Sequence, residues 1–205
     1  MEKKRVYAFD FDGTLTTRDT LLEFIRFARG GGAFFLGMLR QSPWLVLMKL
    51  GLYSNGKAKE RVFKHFFGGM RIEDFDAICG KFAQEKQSLL RPKGQEKMRE
   101  AIEEGADVFV VSASISNWVC AFFRQLPTGK GRLYVLGTQI ETKEGRVTGR
   151  FLTPNCYGQE KVERIKTVLA DRDRYEIIAY GDSRGDKEML DYADERYYKP
   201  FRKNG

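Results

Sequence analysis

The stretch Val6-Tyr7-Ala8-Phe9-Asp10-Phe11-Asp12-Gly13-Thr14-Leu15-Thr16 decides how the rest of the chain is read. Its four apolar residues in a row suit a strand buried on both faces. Asp10 and Asp12 follow, then a glycine that permits a tight turn. Residues two apart on an extended backbone point the same way, so both carboxylates can face one cavity. Three further apolar runs repeat the form. Val108-Phe109-Val110-Val111 ends in Ser112-Ala113-Ser114, and Leu133-Tyr134-Val135-Leu136 stands alone. Ile177-Ile178-Ala179-Tyr180 ends in Gly181-Asp182. Helical patterns over 94–104, 116–126 and 160–169 lie between them. Strands alternating with helices predict an α/β fold, a parallel sheet covered on both faces. Residues 138–151 alternate apolar and polar around Lys143-Glu144-Gly145 and predict a β-hairpin.

The region 17–92 has no strand-like run. Asp19 or Thr20 can cap a helix with the stripe Leu21, Phe24, Ile25 and Ala28, and Gly30-Gly31-Gly32 is expected to end it. Residues 57–67 and 73–90 also read as helices. The expected organisation is therefore an α/β core, 1–16 with 93–205, interrupted by an all-helical insertion over 17–92. From Thr20 to Met70 there are eight basic residues against two acidic ones, so this stretch carries +6. Within it, Ala33 to Tyr53 is strongly apolar and has two readings. One is a pair of helices packed inside the insertion. The other is a helical hairpin broken at Ser42-Pro43, its apolar face in a bilayer surface while Arg40, Lys49 and Lys57 meet lipid phosphates.

Composition narrows the class. Of the 205 residues, 42% are apolar and 31% charged, which excludes a disordered tail, a collagen-like fibre and a disulfide mini-protein. Cys79, Cys120 and Cys156 form no CxxC pair and read as free thiols of a reducing compartment, which points to the cytoplasm. No signal-peptide core and no run long enough to span a membrane is seen. The net charge of +8 suits anionic partners. Nucleic acid is not expected among them, because no recognition helix or RNA-binding motif is present. His65 is the one histidine, and among Phe63, Phe66 and Phe67 it reads as a packed helix residue.

The candidate chemistry gathers at strand ends, where open α/β sheets bind ligands. Asp10 and Asp12 follow the first strand, Ser112 the second, and Asp182 the last, with Asp186 four residues on. Lys161 opens a predicted helix. Clustered carboxylates repel one another unless a cation joins them. An oxygen-only ligand set suits magnesium better than zinc. A lysine, a serine hydroxyl and free backbone amides make a phosphate cradle. Metal and cradle together imply phosphoryl chemistry, and with no histidine in the core the expected nucleophile is a carboxylate.

Asp10-Phe11-Asp12-Gly13-Thr14-Leu15-Thr16, Ser112, Lys161 and Gly181-Asp182-Ser183-Arg184-Gly185-Asp186 resemble, in order and spacing, the four motifs of the haloacid dehalogenase superfamily. The insertion looks like its type I helical cap, and Glu141 to Gly149, followed by Lys161, is similar to the phosphoserine-phosphatase-like branch. The resemblance implies a Rossmann-like core and a magnesium-dependent phosphatase. It implies that Asp10 attacks phosphorus and that Asp12 protonates the leaving oxygen, then activates water. Ser112 and the Ala113 amide would hold phosphoryl oxygens, and Lys161 would neutralise charge. Asp182, the Asp10 side chain and the Asp12 carbonyl would bind Mg2+, with Asp186 in support. The second acid at Asp12 favours phosphate-ester hydrolysis over dehalogenation. Two positions depart from the phosphoserine pattern: Gly185 stands where asparagine is usual, and Asp19 where a glutamate would meet the substrate's ammonium. The expected substrate is thus a small or amphiphilic phosphate ester chosen by the cap. A branch of the superfamily acts on phosphatidylglycerophosphate, and the 33–53 stretch resembles its insert. That implies a lipid-phosphate alternative with peripheral contact to an anionic membrane. A phosphomutase and a non-catalytic anion-binding module are the remaining alternatives.

Overall fold

A computed structural model describes residues 3–126 and 129–202. The apolar run after the N-terminus forms β1 (Lys4–Phe9), the centre of a five-stranded sheet. The others are β2 (Asp107–Ile115), β3 (Leu133–Thr138), β6 (Tyr175–Gly181) and β7 (Glu195–Tyr198), in the order β3-β2-β1-β6-β7. Every pairing is parallel. The chain winds outward from β1 on one side, then returns to wind outward on the other. The strand order therefore reverses between β1 and β6. β7 was not foreseen: its residues, Glu195-Arg196-Tyr197-Tyr198, are all exposed and lack the apolar signature of a buried strand.

The period of two along a strand sorts side chains onto two helical layers. Val6, Ala8, Phe109, Val111, Ile177 and Ala179 face α6 (Gln159–Val168) and α7 (Lys187–Tyr192), where Ile165 and Met189 meet them. Tyr7, Phe9, Val108, Val110, Ile178 and Tyr180 face the other way, toward α4 (Pro92–Glu103) and α5 (Ser116–Phe122). The continuous apolar runs are thus a consequence of coverage on both faces. Helix α5 stops at Phe122, four residues short of the expected end.

Between β1 and α4 the chain forms α1 (Thr20–Lys49), α2 (Asn55–Phe67) and α3 (Ile72–Glu85). It leaves and returns side by side: the Thr17 amide donates to the Leu89 carbonyl at 2.8 Å and the Arg91 amide to the Leu15 carbonyl at 2.7 Å. The helices share one apolar cluster with the sheet layer, because Phe24 stacks on the fully buried Trp118 at 4.6 Å and Phe82 meets Phe122 edge-on at 5.6 Å. The hairpin, β4 (Ile140–Lys143) with β5 (Arg146–Phe151), packs on α2. There the left-handed Gly149 (φ 84°) leaves room for the Lys64 backbone, 2.7 Å from where a Cβ would stand.

One expectation for α1 holds and one needs correction. The glycine run does end the first helical stretch: Gly30 is non-helical (φ 78°, ψ 163°), and a second helical stretch begins directly beyond it and runs to Lys49, so α1 is two helices joined at a kink. Ser42-Pro43, by contrast, does not break the second stretch. Proline removes one amide, which would leave the Leu39 carbonyl without its donor. The Ser42 hydroxyl donates to that carbonyl at 2.7 Å.

Candidate active site

The cleft opens where strand order reverses, at the carboxyl ends of β1 and β6, the place such sheets reserve for ligands. It has a volume of about 620 Å³, and its floor carries Asp10, Asp12, Lys161, Asp182 and Asp186. Asp10 ends β1, and its amide donates to the Tyr180 carbonyl of β6 at 2.9 Å. A single turn, Phe11–Leu15, follows, and Gly13 takes φ 87° there. A Cβ on Gly13 would stand 2.6 Å from the Asp182 carboxylate, so glycine lets the two acidic strand ends approach.

Lys161, near the start of α6, organises the floor. Its ammonium donates to Asp10 Oδ1 at 2.5 Å, to Asp186 Oδ1 at 2.6 Å and to the Val111 carbonyl at 2.8 Å. All three of its protons are used, and the residue is fully buried. Burial alone would lower its pKa, but the charges of Asp10 and Asp186 raise it, so it stays charged. The remaining oxygen of Asp186 accepts from the Asp182 amide (3.1 Å), the Ser183 amide (2.9 Å) and the Ser183 hydroxyl (2.8 Å). Burial pushes the Asp186 pKa up, and Lys161 and Ser183 together overcome it and bring it down.

Asp10 is treated differently. Burial drives its carboxyl up to about 7, against the Lys161 charge and with the help of Asp186. Its Oδ2 is buried and has no hydrogen-bond partner. A buried carboxylate oxygen left without a donor is costly unless something else meets it. Carboxylate oxygens of Asp10, Asp182 and Asp186 lie within 4.8 Å of one another. An oxygen-only donor set with one orphaned atom fits a hard divalent cation. Arg202 pairs with Asp182, which keeps part of that charge balanced from the outer side.

Asp12 stands outside this trio. Its Oδ1 accepts from the Thr20 amide (2.7 Å) and hydroxyl (2.6 Å), and its Oδ2 from the Ser114 hydroxyl (2.6 Å). Trp118 Nε1 donates to the Thr20 hydroxyl at 3.2 Å. The Asp12 side chain is therefore held beside the other acids with its orientation fixed. The sequence marks Thr20 only as a possible helix cap and Ser114 only as the end of a strand, and nothing in it ties either residue or Trp118 to Asp12.

The expected phosphate cradle divides. Ala113 lines the cleft. Ser112 is fully buried, and its hydroxyl accepts from the Ser114 amide at 2.9 Å, which supports the backbone turn around Ala113. Asp19 is at the mouth and caps α1, accepting from the amides of Leu21 (2.9 Å) and Leu22 (3.3 Å). A second cation was missed. Lys59 of α2 lines the cleft and donates to the Ala113 carbonyl at 2.7 Å. Burial lowers its pKa while Asp12 and Asp19 raise it. In the sequence Lys59 is one of eight basic residues between Thr20 and Met70 and carries no mark of its own. Gly185 is explained by Tyr157, since a Cβ there would stand 2.4 Å from that ring. Facing the acids, Leu21, Leu22, Met38, Leu45, Met48 and Val62 make an apolar wall.

A parallel sheet with helices on both faces and an acidic, lysine-centred cleft at its reversal point defines a Rossmann-like α/β protein. The sequence pattern of the haloacid dehalogenase-like hydrolases matches residues 7–191, and the chain belongs to that family. It is 35% identical over 197 residues to Protein CicA of Caulobacter vibrioides, covering 95% of this chain and 86% of that protein. It is 25% identical over 194 residues to a phosphoserine phosphatase of Archaeoglobus fulgidus, covering 93% of this chain but 51% of the relative. Among solved structures, a Bordetella pertussis Tohama I protein of unknown function shares the fold with a TM-score of 0.80 at 20% identity, over 95% and 89% of the two chains. A substrate-bound phosphoserine phosphatase complex aligns with a TM-score of 0.62 at 19% identity, over 97% and 87%.

Proposed function

We propose that this chain is a phosphomonoesterase that works through an aspartyl-phosphate on Asp10. The observation that carries the reading is the asymmetry of Asp10. One oxygen is tied to Lys161, while the other is buried, unpartnered and beside two further acids. In the first step one carboxylate oxygen of Asp10 bonds to phosphorus as the bond to the ester oxygen breaks, and Asp12 delivers its proton to that oxygen. In the second step water attacks phosphorus and gives a proton to Asp12 as the bond to Asp10 breaks. Both acids end as they began. The Thr20 and Ser114 donors hold Asp12 in place for both transfers. The Ala113 amide meets phosphoryl oxygens, and Lys161, bonded to Asp10, sets a fixed positive charge beside them, a positioned field of the kind that phosphoryl transfer needs.

Asp10 and Asp182 would hold Mg2+, with the Asp12 carbonyl, and Asp186 would support them. When bound, the cation neutralises phosphoryl charge and keeps the acids together. The apolar wall suits an ester whose alcohol is small or amphiphilic, with Lys59 and Arg18 at hand for further anionic groups. The Gly185 and Asp19 departures speak against phosphoserine as that ester.

The test is hydrolysis of a generic aryl phosphate. Wild type with Mg2+ should release phosphate. Asp10→Asn should lose at least about a thousandfold in rate with an unchanged circular dichroism spectrum, and chelation should abolish turnover reversibly. Equal rates in wild type and Asp10→Asn would reject the reading. Isomerisation of a sugar phosphate without phosphate release would make the protein a mutase instead.

A further inference from the structure

We propose that the second half of α1, from Gly31 to Lys49, together with Leu50 and Leu52 beyond it, docks on the surface of an anionic lipid bilayer. The segment lies flat in the interface and does not cross it: among the described residues no helix is long and apolar enough to span a membrane. The proposal is independent of the phosphatase reading.

The first argument is the pattern of exposure. At about 100° per residue, Phe35, Leu39, Val46 and Leu50 fall within about 60° of arc on one helix face, with Leu36 on its flank. They are 54–67% exposed, and Leu52 just beyond is 73% exposed. Single exposed leucines need no explanation, but a contiguous row does. The adjoining arc, Met38, Leu45 and Met48, lines the cleft. The helix is therefore apolar on two neighbouring sides, only one of which the fold uses.

The second argument is charge. Between Glu23 and Glu60 there is no acidic residue, while Arg26, Arg29, Arg40, Lys49, Lys57 and Lys59 are basic. Arg40, Lys49 and Lys57 are exposed around the apolar row. Arg26 lies over the Phe34 ring at 4.7 Å and Arg61 over Trp44 at 4.1 Å, so positive charge is held among aromatic rings. A second copy of this chain would bring these like charges face to face in a twofold interface. A bilayer surface answers both features at once, since headgroup phosphates meet the basic rim and acyl chains meet the apolar row. The Gly30 bend, followed by Gly31 and Gly32 with open space around each, sets this half of α1 at its own angle to the half packed on Trp118.

Vesicle flotation tests the assignment. Wild type should float with vesicles of phosphatidylcholine mixed with phosphatidylglycerol at low salt. Binding should fall about tenfold or more on phosphatidylcholine alone, or when salt screens the rim. Leu39→Ser combined with Val46→Ser removes apolar area outside the cleft. It should cut vesicle binding about tenfold and leave the circular dichroism spectrum and the hydrolysis of a soluble aryl phosphate unchanged. Three results would overturn the proposal. Wild type does not float with the mixed vesicles; the double variant floats as well as wild type; or light scattering shows a stable dimer that the double variant dissolves, which makes the face a contact between copies.

Discussion

At Lys161 one ammonium group meets two carboxylates and a backbone carbonyl, out of contact with water. Two buried acids so close would repel each other without it. Lys161→Met should therefore do more than slow a reaction. At pH 7.5 it should lower unfolding free energy by about 3 to 5 kcal/mol, the usual result of removing one partner from a buried charge group. The sign of the pH dependence follows from Asp10, whose carboxyl is pushed up to about 7. Below that value Asp10 is neutral and the uncompensated charge shrinks, so the deficit should be smaller at pH 5 than at pH 7.5. Denaturant titrations at the two pH values check this, and a deficit that grows on acidification would contradict it. The residues in and around the cleft were legible in unequal measure. Asp10, Asp12, Lys161, Asp182 and Asp186 were marked by their position after strands or at a helix start. Lys59, Thr20 and Tyr157 were not, because each reaches the cleft from a segment whose placement only packing determines.

Among the elements, α1 shows how local rules and packing compete. Glycine is a poor helix residue, and three in a row read as a stop. Gly30 does leave the helical region, and the chain re-enters a helix directly beyond it, because Met38, Leu45 and neighbouring residues pack back against the rest of the molecule. The glycines are not equivalent. Around Gly32 a Cβ would meet nothing within 4 Å, whereas at Gly37 it would stand 2.2 Å from the Phe66 ring. Gly32→Ala should thus stabilise the protein by up to about 1 kcal/mol through helix propensity alone. Gly37→Ala should destabilise it by about 1 to 3 kcal/mol, because Phe66 is buried and must move. Thermal denaturation of the two variants should shift in opposite directions, and a gain at both sites would refute the tight α1–α2 contact. The strands were legible because burial on both faces writes continuous apolar runs. β7 was not, since an exposed edge strand is paired on one side only and carries no such mark.

On the scale of the molecule, the sheet gathers acids from Asp10 to Asp186 at one reversal of strand order, and the insertion brings Thr20 and Lys59 to meet them. The Phe24–Trp118 stack and the shared apolar cluster make the first half of α1, α2 and α3 part of the same body as the sheet. The parallel sheet with its helices could be read from the spacing of strands, because turn signals and apolar runs recur along the chain. How the insertion's helices pack could not, since aromatic contacts such as Phe24 with Trp118 join residues far apart in sequence. The central claim is that Asp10 carries the phosphoryl group in transit. Acid quench during turnover of an aryl phosphate, followed by borohydride reduction, converts an aspartyl-phosphate to homoserine, and peptide mass spectrometry locates it. The account predicts that conversion at position 10, only when substrate is present. Steady turnover with Asp10 unmodified, or with the modification on another carboxylate, would contradict it.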